Sequence, residues 1–136
     1  MPPPLACVFE AALYVQHIKR AVALYRDILG LRVLGNVDVP RGAALAVGQS
    51  VLLVFRAEET LKGDRLPAHG STGPGHVAFR VEPEQLDAWR KHLIEHGVKV
   101  EAEVSFRGSP PSIYFRDPDG NVLELAVASV WPFEEK

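Results

Sequence analysis

The chain has 136 residues, 47% of them hydrophobic and 24% charged, with a formal net charge of −2; this is the size and balance of one compact domain, or of two small modules sharing a core. No block of like charge offers a footprint for nucleic acid or an anionic membrane surface, and no stretch is long and apolar enough to span a bilayer. The single cysteine, Cys7, excludes an internal disulfide framework and a Cys-rich zinc site.

What remains is a protein for small molecules and protein partners, with no nucleic acid and no membrane. A cytoplasmic location is expected, because the opening Met-Pro-Pro-Pro lacks the basic flank and apolar run of a signal peptide. Cys7 reads as a small buried hydrophobe on the face of Phe9 rather than as a reactive thiol.

Residues 9–15 alternate as a strand, with Phe9, Ala11, Leu13 and Val15 on one face and Glu10, Ala12 and Tyr14 on the other. Ile18, Val22, Tyr25 and Leu29 then recur at helical spacing, and Gly30 supplies the left-handed residue that commonly ends a helix. Strand-like segments follow from Leu31 to Leu34, from Ala43 to Val47 and from Val51 to Arg56, the last two joined by the turn Gly48-Gln49-Ser50. The polar stretch 57–73 holds three glycines and reads as a long linker.

The order then repeats. Val77, Phe79 and Val81 form one face of a strand whose other face carries His76, Ala78 and Arg80. A helix is marked by Pro83 near its start, by the stripe Leu86, Trp89 and Leu93, and by Gly97 beyond its end. Val98 to Val104, Ser112 to Arg116 and Asn121 to Val127 read as three strands, the last two joined by the turn Asp117-Pro118-Asp119-Gly120. Superposing the halves pairs Glu10 with His76, Gly30 with Gly97 and Gly48 with Gly120, the pattern of a tandem βαβββ duplication. Module one spans about 8–56, the linker 57–73, module two about 74–128 and a C-terminal tail 129–136.

Three motifs carry a resemblance: Leu-Tyr-Arg-Asp-Ile-Leu-Gly-Leu at 24–31, Gly-His-Val-Ala-Phe-Arg-Val at 75–81 and Tyr-Phe-Arg-Asp-Pro-Asp-Gly-Asn-Val-Leu-Glu-Leu at 114–125. Together they resemble the vicinal oxygen chelate superfamily of glyoxalases, bleomycin-resistance proteins and extradiol dioxygenases. The resemblance implies an α+β fold in which two tandem βαβββ modules form a cupped mixed sheet. It also implies a homodimer, often with modules exchanged between chains, and one divalent metal ion (Mn, Fe, Ni or Zn).

Carried over residue by residue, the metal ligands fall on Glu10, His76 and Glu124. The fourth ligand position of some members falls on Leu52, which cannot coordinate; this disfavours the glyoxalase I and methylmalonyl-CoA epimerase activities. Three-ligand members, the extradiol dioxygenases and fosfomycin-modifying enzymes, mostly carry His where this chain has Glu10.

The residues read alone agree in part. Period-two alternation sets Glu10, His76 and Glu124 on faces opposite the apolar rows, in phase with Tyr14, Arg80, Ser112 and Tyr114 and with the small or apolar Ala12, Leu52, Val54, Ala78 and Ala126. A few polar groups on a largely apolar lining is the usual makeup of a small-molecule site. Two carboxylates and an imidazole suit a divalent ion with positions left open for substrate. Tyr114 is the candidate proton donor or substrate-orienting phenol and Arg80 the candidate anion contact.

His17 reads as a capping or surface residue, His69 as a plain loop residue, and His92 and His96 as a solvated helix face. Trp131 and Phe133 read as packing or dimer-contact residues. The function implied is a metal-dependent enzyme acting on a small substrate with vicinal oxygens, by dioxygenase, lyase/isomerase or epoxide-opening chemistry. The alternative is a metal-free drug- or metabolite-binding protein of the bleomycin-resistance type.

Overall fold

A computed structural model describes residues 1–133. The chain divides into two compact units, Met1–Thr72 and a second beginning at Gly73.

In the first unit, β1 (Glu10–Tyr14) leads into a helix, α1 (Ile18–Val22), which continues as a wider π-helical segment over Ala23–Ile28. The widening is visible in the bond from Leu29 N to Leu24 O, 3.0 Å, which skips five residues instead of four. Three strands follow, β2 (Arg32–Asp38), β3 (Gly42–Val47) and β4 (Ser50–Phe55). Their sheet runs β1-β4-β3-β2, with β1 parallel to β4 and the other pairs antiparallel. A parallel pair needs a crossover, and the helix between β1 and β2 begins it.

The helix stripe Ile18, Ala21, Val22 and Tyr25 is buried, as are Leu13, Val15, Leu45, Leu52 and Val54 of the strands, and the helix contacts β3 and β4. Each fully buried aliphatic side chain contributes about 1.5–3 kcal/mol. Gly30 closes the helix at φ +77°, a conformation that costs a side-chain-bearing residue dearly.

The second unit repeats this connectivity. Before it, a short helix α2 (Ala57–Thr60) occupies the start of the stretch expected to be a linker. Strand β5 (His76–Arg80) is followed by a 3-10 turn over Pro83–Gln85, the helix α3 (Leu86–Glu95), and β6 (Ala102–Val104), β7 (Ser112–Arg116) and β8 (Val122–Ala126). The sheet order is β5-β8-β7-β6, again with its first pair parallel and the rest antiparallel. Leu86, Leu93, Ile113, Phe115, Leu123, Leu125 and Val127 are buried, and Gly97 ends α3 at φ +75°.

Several expectations are corrected. Residues 1–10 are exposed throughout, so Cys7 is an exposed thiol rather than a small buried hydrophobe, and β1 starts only at Glu10. Phe9 and Ala11 are exposed although they continue the row of the buried Leu13 and Val15; alternation marks a face but does not say where a neighbour covers it. Val98 to Val104 shrinks to the three exposed residues of β6, Ala102, Glu103 and Val104, which pair in register with Tyr114, Ile113 and Ser112 of β7. Trp131 and Phe133 are exposed, which removes packing within the chain from their expected roles and leaves dimer contact; residues 134–136 of the expected tail lie outside the described residues. Among the described residues no helix is long and apolar enough to cross a membrane.

Candidate functional site

Side chains laterally opposite one another in a sheet share a face. In the second unit Ala78 and Tyr114 flank Glu124, and His76 lies beside Val122. His76, Ala78, Arg80, Ser112, Tyr114, Glu124 and Ala126 therefore occupy one face, and Val77, Phe79, Ile113, Phe115, Leu123 and Leu125 the other. The second set includes the most deeply buried side chains of the unit. The fold thus turns a hydrophobic row inward and presents the polar row on the opposite surface.

On that surface His76 and Glu124 meet. His76 Nε2 lies 3.2 Å from Glu124 Oε1, with the imidazole half exposed and the carboxylate side chain only 8% exposed. The other ring nitrogen, Nδ1, is 3.0 Å from the Val122 carbonyl oxygen. A carbonyl can only accept, so Nδ1 carries the proton and donates, and in the neutral ring Nε2 holds a lone pair. A lone pair aimed at a carboxylate oxygen is stable only with a cation between or beside them, either a proton on the ring or a metal ion. Two donor atoms each about 2.0–2.2 Å from a common ion are naturally about 3–3.5 Å apart, so the donor pair fits a divalent metal. The backbone bond to Nδ1 is the kind of outer contact that orients a metal-binding histidine.

Tyr114 completes the group. Its ring stacks on His76 with centroids 6.4 Å apart and planes 24° from parallel. Burial holds its phenol above the ordinary ionisation range, and the Glu124 carboxylate adds to this by charge and by accepting its hydrogen bond. Tyr114 is therefore a neutral donor and not a base. The small Ala78 pairs with Glu124 and the small Ala102 with Tyr114. Among the described residues the fully buried Ser112 hydroxyl, on the same face, has no hydrogen-bond partner. Arg80 is exposed four residues beyond His76, about 13 Å along the strand, a distance suited to the far end of a ligand.

Glu10 belongs to the first unit, exposed at the start of β1. Among the described residues no three His, Cys, Asp or Glu side chains gather into one cluster; His76 and Glu124 meet within the second unit. Within its own unit Glu10 is opposite Val51 and Ala12 opposite Leu53. Since His76 is opposite Val122 and Glu124 lies two residues further on, the position equivalent to Glu124 is Leu53 and not Leu52. Leu52 and Val54 lie instead with Ala11 and Leu13 on the buried face, and Val51, Leu53 and Phe55 share the face of Glu10. Leucine stands at either position, so the fourth ligand is lacking on both accounts.

His69 is more than a plain loop residue. Tyr14 is hydrogen-bonded through its hydroxyl to His69 Nδ1, and the His69 ring lies edge-on to Tyr14 and Phe55 at 5.8 and 5.4 Å. His92 on α3 and His96 just past its end have ring centroids 4.2 Å apart with planes tilted by 41°, and His96 Nδ1 is 2.9 Å from the His92 carbonyl.

One supporting network joins residues far apart in the chain. Asp117 accepts from the backbone N–H groups of Asp119 and Asn121, both at 2.9 Å, and from Asn121 Nδ2 at 2.8 Å. Asn121 Oδ1 in turn accepts from Gly75 N at 2.7 Å, and Val122 N donates to Gly75 O at 2.9 Å. The turn between β7 and β8 is thereby tied to the residue preceding His76. The only sequence signal is the Asx-turn character of Asp117-Pro118-Asp119-Gly120-Asn121.

Two βαβββ units with the same strand order and the same parallel and antiparallel pairing define a paired-module protein of the glyoxalase type. The model of the Glyoxalase/Bleomycin resistance protein/Dioxygenase superfamily matches residues 8–125, and the chain belongs to this superfamily. It is similar to the metallothiol transferase FosB of Bacillus licheniformis, with 38% identity over 82 residues, 60% of this chain and 51% of that protein. The match therefore spans about half the length of that relative. The glutathione transferase FosA of Serratia marcescens is 29% identical over 118 residues, covering 87% of this chain and 78% of its own. Among solved structures, lactoylglutathione lyase from Agrobacterium tumefaciens superposes with a TM-score of 0.89 at 29% identity, over 96% of this chain and 99% of that one.

Proposed function

We propose that this protein is a metal-dependent enzyme that adds a thiol to a small substrate presenting vicinal oxygens, with Glu10, His76 and Glu124 as the protein ligands of one divalent ion and a homodimer as the working form. The observation that carries the reading is the His76 Nε2–Glu124 Oε1 approach at 3.2 Å, with Nδ1 committed to a backbone carbonyl. The names of the relatives narrow the chemistry, since a metallothiol transferase, a glutathione transferase and a lactoylglutathione lyase are all named for thiols or their adducts. Thiol transfer is therefore favoured here over ring cleavage by oxygen.

When bound, the ion supplies Lewis acidity that polarises a substrate oxygen and a template that holds two adjacent oxygens. The residues do the rest. His76 is locked in one tautomer by the Val122 carbonyl, and Glu124 is held by Tyr114. Two glutamates offset the charge of a divalent cation, which favours neutral or singly charged oxygen donors as substrates. If a thiol opens an epoxide, the S–H bond gives up its proton to solvent, a C–S bond forms, a C–O bond breaks, and the released oxygen must gain a proton. Tyr114, kept neutral by its surroundings, is the donor at that point, and Arg80 meets an anionic group at the far end of the substrate.

The test is turnover. Metal-loaded protein is incubated with glutathione or cysteine and a panel of small epoxides bearing an adjacent oxygen acid, and thiol loss and adduct mass are followed. The expected result is metal-dependent adduct formation, abolished in His76→Ala and lowered about 10²–10⁴-fold in Tyr114→Phe. Metal-replete protein that consumes no thiol with any partner would reject thiol transfer.

A further inference from the structure

We propose that the loop after α2 forms a binding pocket for the zwitterionic α-amino-acid end of a ligand, here the thiol substrate; the identification of the ligand as that thiol rests on the function proposed above. A cavity of about 220 Å³ lies in the first unit, lined by Arg41, Thr60, Asp64, Arg65 and His69 among others. It is large enough for an amino-acid head group. Its charged walls are two guanidinium groups and one carboxylate, which suit a ligand end carrying both a carboxylate and an ammonium. Neither Arg41 nor Arg65 shows a side-chain ion pair among the described residues, whereas Arg26, Arg56, Arg90 and Arg116 are each paired with an acid.

His69 lines the same cavity with its Nδ1 hydrogen-bonded to the Tyr14 hydroxyl, which leaves its second ring nitrogen as a further polar group of that wall.

The pocket is also preorganised. The Thr60 carbonyl accepts from Gly63 N at 3.4 Å and from His69 N at 3.1 Å, and Asp64 N donates to Leu66 O at 3.0 Å. Gly70 lies so close to Leu61 that a Cβ there would meet the leucine side chain at 2.8 Å. The loop is thus a compact, self-packed Ω-like turn rather than an open tether, and ligand binding need not order it.

Its position fits the proposed chemistry. Arg41 lies over the Phe55 ring at 5.7 Å, and His69 lies edge-on to the same ring. Phe55 is opposite Tyr14 in the sheet and so shares the face of Glu10. Tyr14 stands four positions beyond Glu10 along β1, about 13 Å, the reach of an extended tripeptide. A thiol with an amino-acid tail of that length could hold its tail under the loop and its sulfur near Glu10.

Titration calorimetry with S-methylglutathione, which cannot react through sulfur, tests the pocket. Binding should be weakened about tenfold or more in Arg41→Ala and again in Arg65→Ala, with both variants melting like the wild type because both side chains are exposed. Partial recovery is expected in Arg41→Lys. The diethyl ester and the N-acetylated compound should each bind at least about tenfold more weakly, the second loss disappearing in Asp64→Asn. Equal binding of the ester, or unchanged binding in the double Arg41→Ala/Arg65→Ala variant, would overturn the proposal. Wild type that binds S-methylglutathione through Arg41 and Arg65 but shows no metal-dependent turnover would keep the pocket and reject only the function proposed above.

Discussion

Replacing Asp117 by Ala removes the acceptor on which the β7–β8 turn closes. Asp117 is 4% exposed and accepts two backbone N–H groups and the Asn121 amide at 2.8–2.9 Å. A hydrogen bond to a charged acceptor is worth about 1.5–3 kcal/mol, and a buried donor left without a partner costs about 1–3 kcal/mol. The three bonds share one carboxylate and do not add, so the expected loss is about 3–5 kcal/mol, a large part of the stability of a small domain. The effect should reach the site, because Asn121 then loses the partner that fixes it, and Asn121 holds Gly75 beside His76.

Urea unfolding followed by tryptophan fluorescence measures the loss, and Asp117→Asn is the control. Its amide keeps one acceptor but turns an N–H₂ toward a donor, so a smaller loss of about 1–3 kcal/mol is expected. A cost for Asp117→Ala below about 1 kcal/mol, no more than one ordinary hydrogen bond, would refute the argument.

Three further outcomes follow from the packing and the charges. Gly42→Ala places a Cβ 2.2 Å from the Val54 carbonyl oxygen, which forces β3 and β4 apart and should cost about 3 kcal/mol in a thermal or urea melt. Tyr114 ionises above its ordinary value of 10.0 in the folded chain, so its contribution is full below the unfolded value and is lost as pH rises through the higher folded one; Tyr114→Phe should flatten that alkaline decline in a pH series of melts. Arg90 reaches Glu103 at 2.5 Å and Asp87 at 2.6 Å, joining α3 to β6; on this partly exposed surface Arg90→Ala should cost about 1 kcal/mol, shrinking in high salt.

Much of the architecture is legible in the sequence because its signals are local. Alternation over residues 10–14, the stripe from Ile18 to Tyr25 and the glycines at 30 and 97 mark strand, helix and helix end within a few residues of one another. Where that local contrast fails, the reading fails. Val51 to Phe55 is an unbroken apolar run, so nothing in it says which residues face inward, and the phase that places Leu53 rather than Leu52 opposite Ala12 comes only from pairing with β1.

The site divides the same way. His76 and Glu124 lie on strands whose alternation is clear, and their shared face could be read directly. The Asp117–Asn121–Gly75 network and the Tyr14–His69 bond join residues 46 and 55 positions apart in sequence, and no local pattern reports such contacts. The exposed Cys7 and Phe9 show the complementary limit: hydrophobicity says what would be stable if covered, and only the packing says whether it is.

The most direct test of the central claim is the metal content of the purified protein, by plasma mass spectrometry, after loading with Mn²⁺, Fe²⁺, Ni²⁺ or Zn²⁺. Wild type, His76→Ala, Glu124→Gln and Glu10→Gln are compared side by side. The account predicts close to one ion per chain in the wild type, little or none in His76→Ala and Glu124→Gln, and a weakened site in Glu10→Gln. Metal retained at full stoichiometry in all three variants, or absent from the wild type under every loading, would contradict it.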